Sequence, residues 1–196
     1  MADLHKRITK IKTGDECLTF NGANTEYSIA DFWKWSVSDL LSNATRGRFA
    51  EFIIATAMGI DLSEVRSEWS EYDLETEDGI KIEVKSSAYL QTWDQFDYSK
   101  IIFSIKKRGD WKIKLNKNEF NRPSDIYVFC LLKHKEKKTV NPLNMDQWVF
   151  YVLSTNKIDT IFKNNSSISL KSLEKLTEGI KYNEIKDKIV AECKII

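Results

Sequence analysis

Asp73, Glu83 and Lys85 are residue types that can carry phosphoryl chemistry, and their spacing suggests that one short hairpin brings them together. Before Asp78-Gly79, Tyr72, Leu74 and Thr76 alternate with Glu71, Asp73 and Glu75; after it, Ile80, Ile82 and Val84 alternate with Lys81, Glu83 and Lys85. This period-two pattern on both sides of a turn signal predicts two antiparallel strands. Register follows from burial, because a slip of one residue moves every side chain to the other face. A two-residue Asp78-Gly79 turn would set Leu74 against Glu83 and Asp73 against Val84. A three-residue Glu77-Asp78-Gly79 loop, with Gly79 left-handed, sets Leu74 against Ile82, Tyr72 against Val84 and Asp73 against Glu83. Only the second register separates apolar from charged side chains.

That register has a chemical consequence. Opposed residues have Cβ atoms about 4.5–5.5 Å apart, so two carboxylates face each other. At an effective dielectric near 20 they repel by roughly 3–4 kcal/mol, so one must take up a proton or a cation must sit between them. Lys85, a diagonal neighbour, softens the repulsion, while paired carboxylates completed by water suit a hard cation such as Mg²⁺.

Asp73, nine intervening residues and then Glu83-Val84-Lys85 resemble the signature of the PD-(D/E)xK nucleases, the restriction-endonuclease-like superfamily. The resemblance implies an α/β protein, a three-layer α/β/α restriction-endonuclease-like core with a mixed central sheet. It also implies hydrolysis of DNA phosphodiester bonds with Mg²⁺, for which Mn²⁺ would substitute. Asp73 and Glu83 would bind the metal together with the Val84 carbonyl, and Lys85 would orient or activate the attacking water. Glu51, in TRGRFAEFIIATAMG, would support the site from the first core helix. Tyr72 stands where the literal motif has Pro. The alternative for Glu51 is a solvated helix residue paired with Arg48 or another neighbour.

Further residues could meet DNA. Arg46 and Arg48 could touch phosphates beside the site, and Gln91 could contact water or the DNA backbone. The run KKRGDWKIK places Lys106, Lys107, Arg108 and Lys112 around Trp111, a composition common in phosphate-contacting loops. Each has a plainer reading: solvated arginines, a polar helix end, and an edge hairpin whose lysines block aggregation. Trp33, Trp35, Phe49 and Phe52 are expected in the core rather than as a platform for bases.

Elements must position these groups. Ser28 with Asp31 is expected to cap a helix running to about Leu41, with Ile29, Phe32, Trp33, Val37, Leu40 and Leu41 facing the core. Ser42 or Asn43 should open a second helix that Gly59 stops near Met58, and a turn is expected at Asn21-Gly22 within a polar lead-in. Lys100–Ile105 and Trp111–Leu115 suggest strands. IYVFCLL (126–132) is a continuous apolar run suited to a strand buried on both faces, with WVFYVL (148–153) as its neighbour. LKSLEKL and YNEIKDKIVAECKII suggest closing helices.

Residues 1–196 are expected to form one domain. With 30 basic and 29 acidic side chains the net charge is +1, so affinity for nucleic acid must come from local patches. Three scattered cysteines suit neither a disulfide framework nor a thiolate zinc site. The first twelve residues lack the apolar core of a signal peptide, and no window reaches a membrane span, so a cytoplasmic protein is expected. Two histidines are too few for His-based nuclease or phosphohydrolase sites, and no phosphate-binding GxxxxGK[ST] loop is present. Within the nuclease class, a restriction-type homodimer cutting duplex DNA comes first and a repair, recombination or mobile-element nuclease second. Outside it stand a catalytically silent DNA-binding or interaction module of the same fold, and a structural domain whose wet hairpin imitates the motif.

Overall fold

The computed structural model describes residues 5, 8–68, 70–109 and 120–194. Strands β1 (Cys17–Phe20) and β2 (Ala23–Ser28) pair antiparallel around Asn21-Gly22. Both turn residues have positive φ, 50° and 79°, the requirement of a two-residue hairpin turn of the primed type, which Asn-Gly meets best. The turn is the expected one, but the expected lead-in around it is a hairpin. Its strands are exposed or half-buried throughout, so no apolar alternation betrays them.

Helix α1 (Ile29–Val37) starts where Ser28 accepts from the Asp31 N–H and Asp31 returns a bond to the Ser28 N–H at 2.9 Å, a reciprocal cap. Its expected burial does not occur. No α1 residue is buried; Phe32 is 54% and Trp35 84% exposed. Helical spacing identifies an apolar stripe but not what covers it, and α1 is tied by Ile29 N–H to Glu16 O and Ala30 N–H to Gly14 O rather than laid on the main sheet. Helix α2 (Asn43–Met58) ends as expected at left-handed Gly59, φ 71°, whose N–H reaches the carbonyls of the last turn. It buries Ala50, Ile53, Ile54, Ala55 and Met58, while Phe52 points outward, 51% exposed. Of the four aromatics expected in the core, only Phe49 packs against it.

The main sheet begins with β3 (Leu74–Glu75) and β4 (Lys81–Ala88). A crossover follows, carrying β5 (Ile102–Ser104) and the paired two-residue strands β6 (Arg108–Gly109) and β7 (Phe120–Asn121). The expected Trp111–Leu115 strand lies outside the described residues. Next come β8 (Ile126–Leu132), β9 (Trp148–Ser154), α3 (Thr155–Phe162), β10 (Ser167–Ser169), α4 (Leu170–Leu173) and α5 (Ile185–Cys193). Sheet order is β3-β4-β8-β9; β4 runs parallel to β8 and β9 antiparallel to it. β10 pairs with β5 in a separate ribbon.

Two cores lie on the two sheet faces. Ile82 and Val84, with Ile126, Val128, Phe150 and Val152, meet α2 and α5. Tyr127, Phe129, Tyr151 and Leu153 meet Ile158 of α3, Leu173 of α4 and the β5·β10 ribbon. All seven β8 residues are buried because both their faces are covered, and each fully buried Ile, Leu or Phe contributes about 1.5–3 kcal/mol. The architecture is a mixed α/β sheet flanked by helices on both faces, the expected class. Among the described residues no helix is long and apolar enough to cross a membrane.

Candidate active site

The hairpin adopts the three-residue-loop register: Leu74 pairs with Ile82 and Glu75 with Lys81, and Gly79 has φ 81°. Regular pairing stops there. Asp73 is a bend residue whose N–H reaches the Ile82 carbonyl at 3.1 Å, while its carboxylate Oδ2 accepts from the Val84 N–H at 2.8 Å. The side chain thus takes the place a strand carbonyl would have held, which pins the carboxylate against β4. The expected strand at Glu71–Asp73 is therefore a bend outside the ladder, and Asp73 and Glu83 converge on Lys85 rather than through strand pairing.

Strand β4 puts Glu83 and Lys85 on the same face, two residues apart. Their neighbours on β8 are Tyr127 and Phe129, both buried, which gives the pair an apolar wall. Lys85 Nζ lies 2.5 Å from Glu83 Oε1 and 3.8 Å from Asp73 Oδ2. Glu83 is 2% exposed, so its charge is held where water screens it little and the ammonium attracts it strongly. Two carboxylates and one cation meet at a single point on the edge of the sheet.

Glu51 joins them from α2. Its carboxylate is held by both ends of the Arg66 guanidinium, Nε to Oε2 and Nη2 to Oε1 at 2.9 Å. Burial pushes the Glu51 carboxyl up, against the downward pull of Arg66; the Asp73 charge adds to the rise and the Lys85 charge subtracts from it. Glu51, Asp73 and Lys85 are thus within electrostatic reach of one another. The partner of Glu51 is neither solvent nor Arg48 but Arg66, which no sequence signal marked. The pairing spans fifteen residues, and residues 60–68 carry no helix or strand whose periodicity could aim the side chain.

The other candidate residues are placed differently. Arg46 is 2% exposed, and its guanidinium donates to the Leu41 carbonyl at 2.7 Å, Asn43 Oδ1 at 2.8 Å, Ser86 Oγ at 3.1 Å and Gln91 Oε1 at 3.3 Å. Burial among these neutral partners lowers the Arg46 pKa. Gln91 is buried too, its amide donating to the Ala88 carbonyl and Ser99 Oγ. These two side chains brace the end of β4 rather than facing solvent where a phosphate would lie. Arg48 is exposed and pairs with Glu68 at 3.0 Å. Lys106 is exposed, and Lys107 stands 3.9 Å from Asp159 on α3. Arg108 opens β6, and Lys112 lies outside the described residues.

The donor set fits a hard divalent cation on chemical grounds, since Asp73 and Glu83 offer anionic oxygens around one cation position that Lys85 now fills. Among the described residues no group of three or more His, Cys, Asp or Glu side chains is gathered closely enough to hold a metal alone. Mg²⁺ needs no such cage, because it keeps several waters and takes one or two carboxylates plus substrate oxygens.

No curated protein matches the chain. The family model of bacteriophage T4 endonuclease IV matches residues 21–172, a span that contains Glu51, Arg66, Asp73, Glu83 and Lys85. That span is well over half of the 196 residues, and the chain belongs to the bacteriophage T4 endonuclease IV family.

Proposed function

We propose that this chain is a metal-dependent endonuclease that hydrolyses DNA phosphodiester bonds through a site of the PD-(D/E)xK type. The observation that carries the reading is the meeting of Asp73 and Glu83 at Lys85 on the edge of a mixed sheet. Membership of a family named for an endonuclease supports it independently. Asp73 and Glu83 would hold Mg²⁺, or Mn²⁺ in its place, with Glu51 assisting. Such an ion supplies Lewis acidity, acidifying water and offsetting charge that develops on the phosphoryl oxygens.

The chain's own groups do the rest. The Val84 N–H fixes one Asp73 oxygen, leaving the other to turn toward substrate. Tyr127 and Phe129 keep water from screening Glu83 and Lys85. Lys85, freed from Glu83 when another cation takes that carboxylate, can hold the attacking water or the scissile phosphate with a positive charge. Within this class we favour a single domain acting on duplex DNA as a homodimer, with repair, recombination or mobile-element cleavage as the second assignment.

A second reading has an observation in its favour. Lys85 and Arg66 already neutralise two of the three carboxylates without a metal, as a catalytically silent DNA-binding module of this fold would require. Incubation of duplex, single-stranded and branched DNA with the chain, in Mg²⁺ or Mn²⁺ and in chelator, separates the two. Cleavage that Asp73→Asn and Lys85→Ala abolish while folding is kept supports the nuclease. Salt-dependent binding without cleavage selects the silent module, and equal activity in parent and variants points to a contaminant and ends the assignment.

A further inference from the structure

Arg66 is a cation beside the site, on a segment without helix or strand, that grips a more deeply buried carboxylate. Its side chain is 38% exposed, on residues 60–68 that form no helix or strand, whereas the Glu51 carboxylate it grips is 12% exposed. Two N–H groups of the guanidinium fork engage Glu51, and Nη1 stands 4.0 Å from Glu68, which Arg48 also pairs with. Asp73 acts on it electrostatically as well. Arg66 therefore sits on Glu51, partly exposed, within electrostatic reach of Asp73.

The charge balance gives this placement a meaning. Three carboxylates, Glu51, Asp73 and Glu83, face two cations, Lys85 and Arg66, leaving one net negative charge that repels a phosphodiester. A divalent ion held by the carboxylates reverses the sign to one net positive charge, which a phosphodiester neutralises. Without Arg66 the loaded site would be neutral in net charge and would lose its longer-range attraction for a phosphodiester. Carboxylate and phosphate offer the same two-oxygen geometry to the planar fork, so the guanidinium can exchange one for the other with little loss of hydrogen bonding. Its place in an irregular segment lets the side chain turn without breaking a helix or strand.

We propose that Arg66 is a substrate-binding residue that is parked on Glu51 in the empty site and transfers its guanidinium to a DNA phosphate when substrate enters. This rests on the nuclease reading above. It makes Glu51 a temporary anion for Arg66, and Arg66 the group that couples release of Glu51 to arrival of a phosphate.

The test uses the full chain with Arg66→Gln and Arg66→Lys, Mn²⁺ binding by calorimetry, and duplex DNA cleavage measured against salt. Arg66→Gln should bind Mn²⁺ as tightly as the parent or more tightly, because a competing cation is gone. Its kcat/KM should fall at least tenfold, with a log–log salt dependence shallower by about one. Arg66→Lys, which keeps the charge and loses the fork, should retain the parent's salt dependence with kcat/KM lowered several-fold, and it decides the matter if Arg66→Gln does not fold. Weaker Mn²⁺ binding in Arg66→Gln would show that Arg66 only holds Glu51 for the metal and overturns the proposal. So does a kcat/KM within twofold of the parent in the folded variants. A parent chain that cleaves no DNA removes the nuclease reading itself, whereas a cleaving parent matched by its variants removes only the role of Arg66.

Discussion

Removing the Lys85 ammonium from the metal-free protein should destabilise it in a way that depends steeply on pH. At 2.5 Å from Glu83 Oε1 and 3.8 Å from Asp73 Oδ2, Lys85 attracts the two carboxylates by about 7 and 4 kcal/mol at an effective dielectric near 20. Those gross figures overstate the loss, because in Lys85→Ala the buried Glu83 can take up a proton instead of remaining charged. Protonating a carboxyl of ordinary pKa near 4.3 at pH 7 costs about 3.7 kcal/mol, and at pH 5 about 1 kcal/mol. These values are ceilings on the Glu83 contribution. In the variant Glu83, 2% exposed, has lost the ammonium beside it, so folding disfavours its charged form. The variant's deficit is therefore small where the unfolded carboxyl is itself protonated and grows as pH rises. Urea unfolding of parent and Lys85→Ala in chelator at pH 5, 6 and 7 measures this directly. The deficit should rise from about 1 to about 3 kcal/mol, and Glu83→Gln introduced alongside should remove most of it. A deficit that does not change with pH, or that persists in the double variant, refutes the view that Lys85 is the counter-ion of a buried carboxylate.

Two further substitutions probe the frame around the site. Arg46→Ala leaves the Leu41 carbonyl, Asn43, Ser86 and Gln91 without their shared donor, so it should lower stability by about 3 kcal/mol in urea unfolding; Arg46→Lys should recover little, since an ammonium cannot reproduce the fork. Gly179→Ala would set a Cβ 2.6 Å from Val149 Cγ2 and 3.2 Å from the Tyr151 ring. Overpacking against β9 should cost about 1–3 kcal/mol in thermal or urea unfolding while leaving metal binding unchanged.

The correspondence between sequence and structure is strongest where one local rule had no competitor. Leu74, Ile82, Glu75 and Lys81 could satisfy burial in only one register, and the hairpin has it. Ser28 and Asp31 form their reciprocal cap, and Gly59 ends α2, because capping involves only residues within one turn. The run Ile126–Leu132 is a fully buried strand because seven consecutive apolar residues leave no face for water. Periodicity misled in α1 and at Phe52. There helical spacing marks an apolar stripe that the fold leaves uncovered, because nothing within the helix says which surface, if any, will cover it.

The sequence by itself determined the register of Leu74 on Ile82 and the shared face of Glu83 and Lys85, since hydrophobic alternation fixes both; the bend that seats Asp73 against the Val84 N–H came from the tertiary structure. The tertiary structure alone decided which charges surround these residues. Arg46 and Arg66 are both arginines near α2, yet one is buried as a brace among neutral partners and the other lies on Glu51 at the rim of the site. The difference arises from contacts 15 to 45 residues apart in the chain, between a helix, a strand end and an irregular segment. Short-range pattern is blind at that distance, because ion-pair choice depends on where side chains end in space and how much water remains beside them.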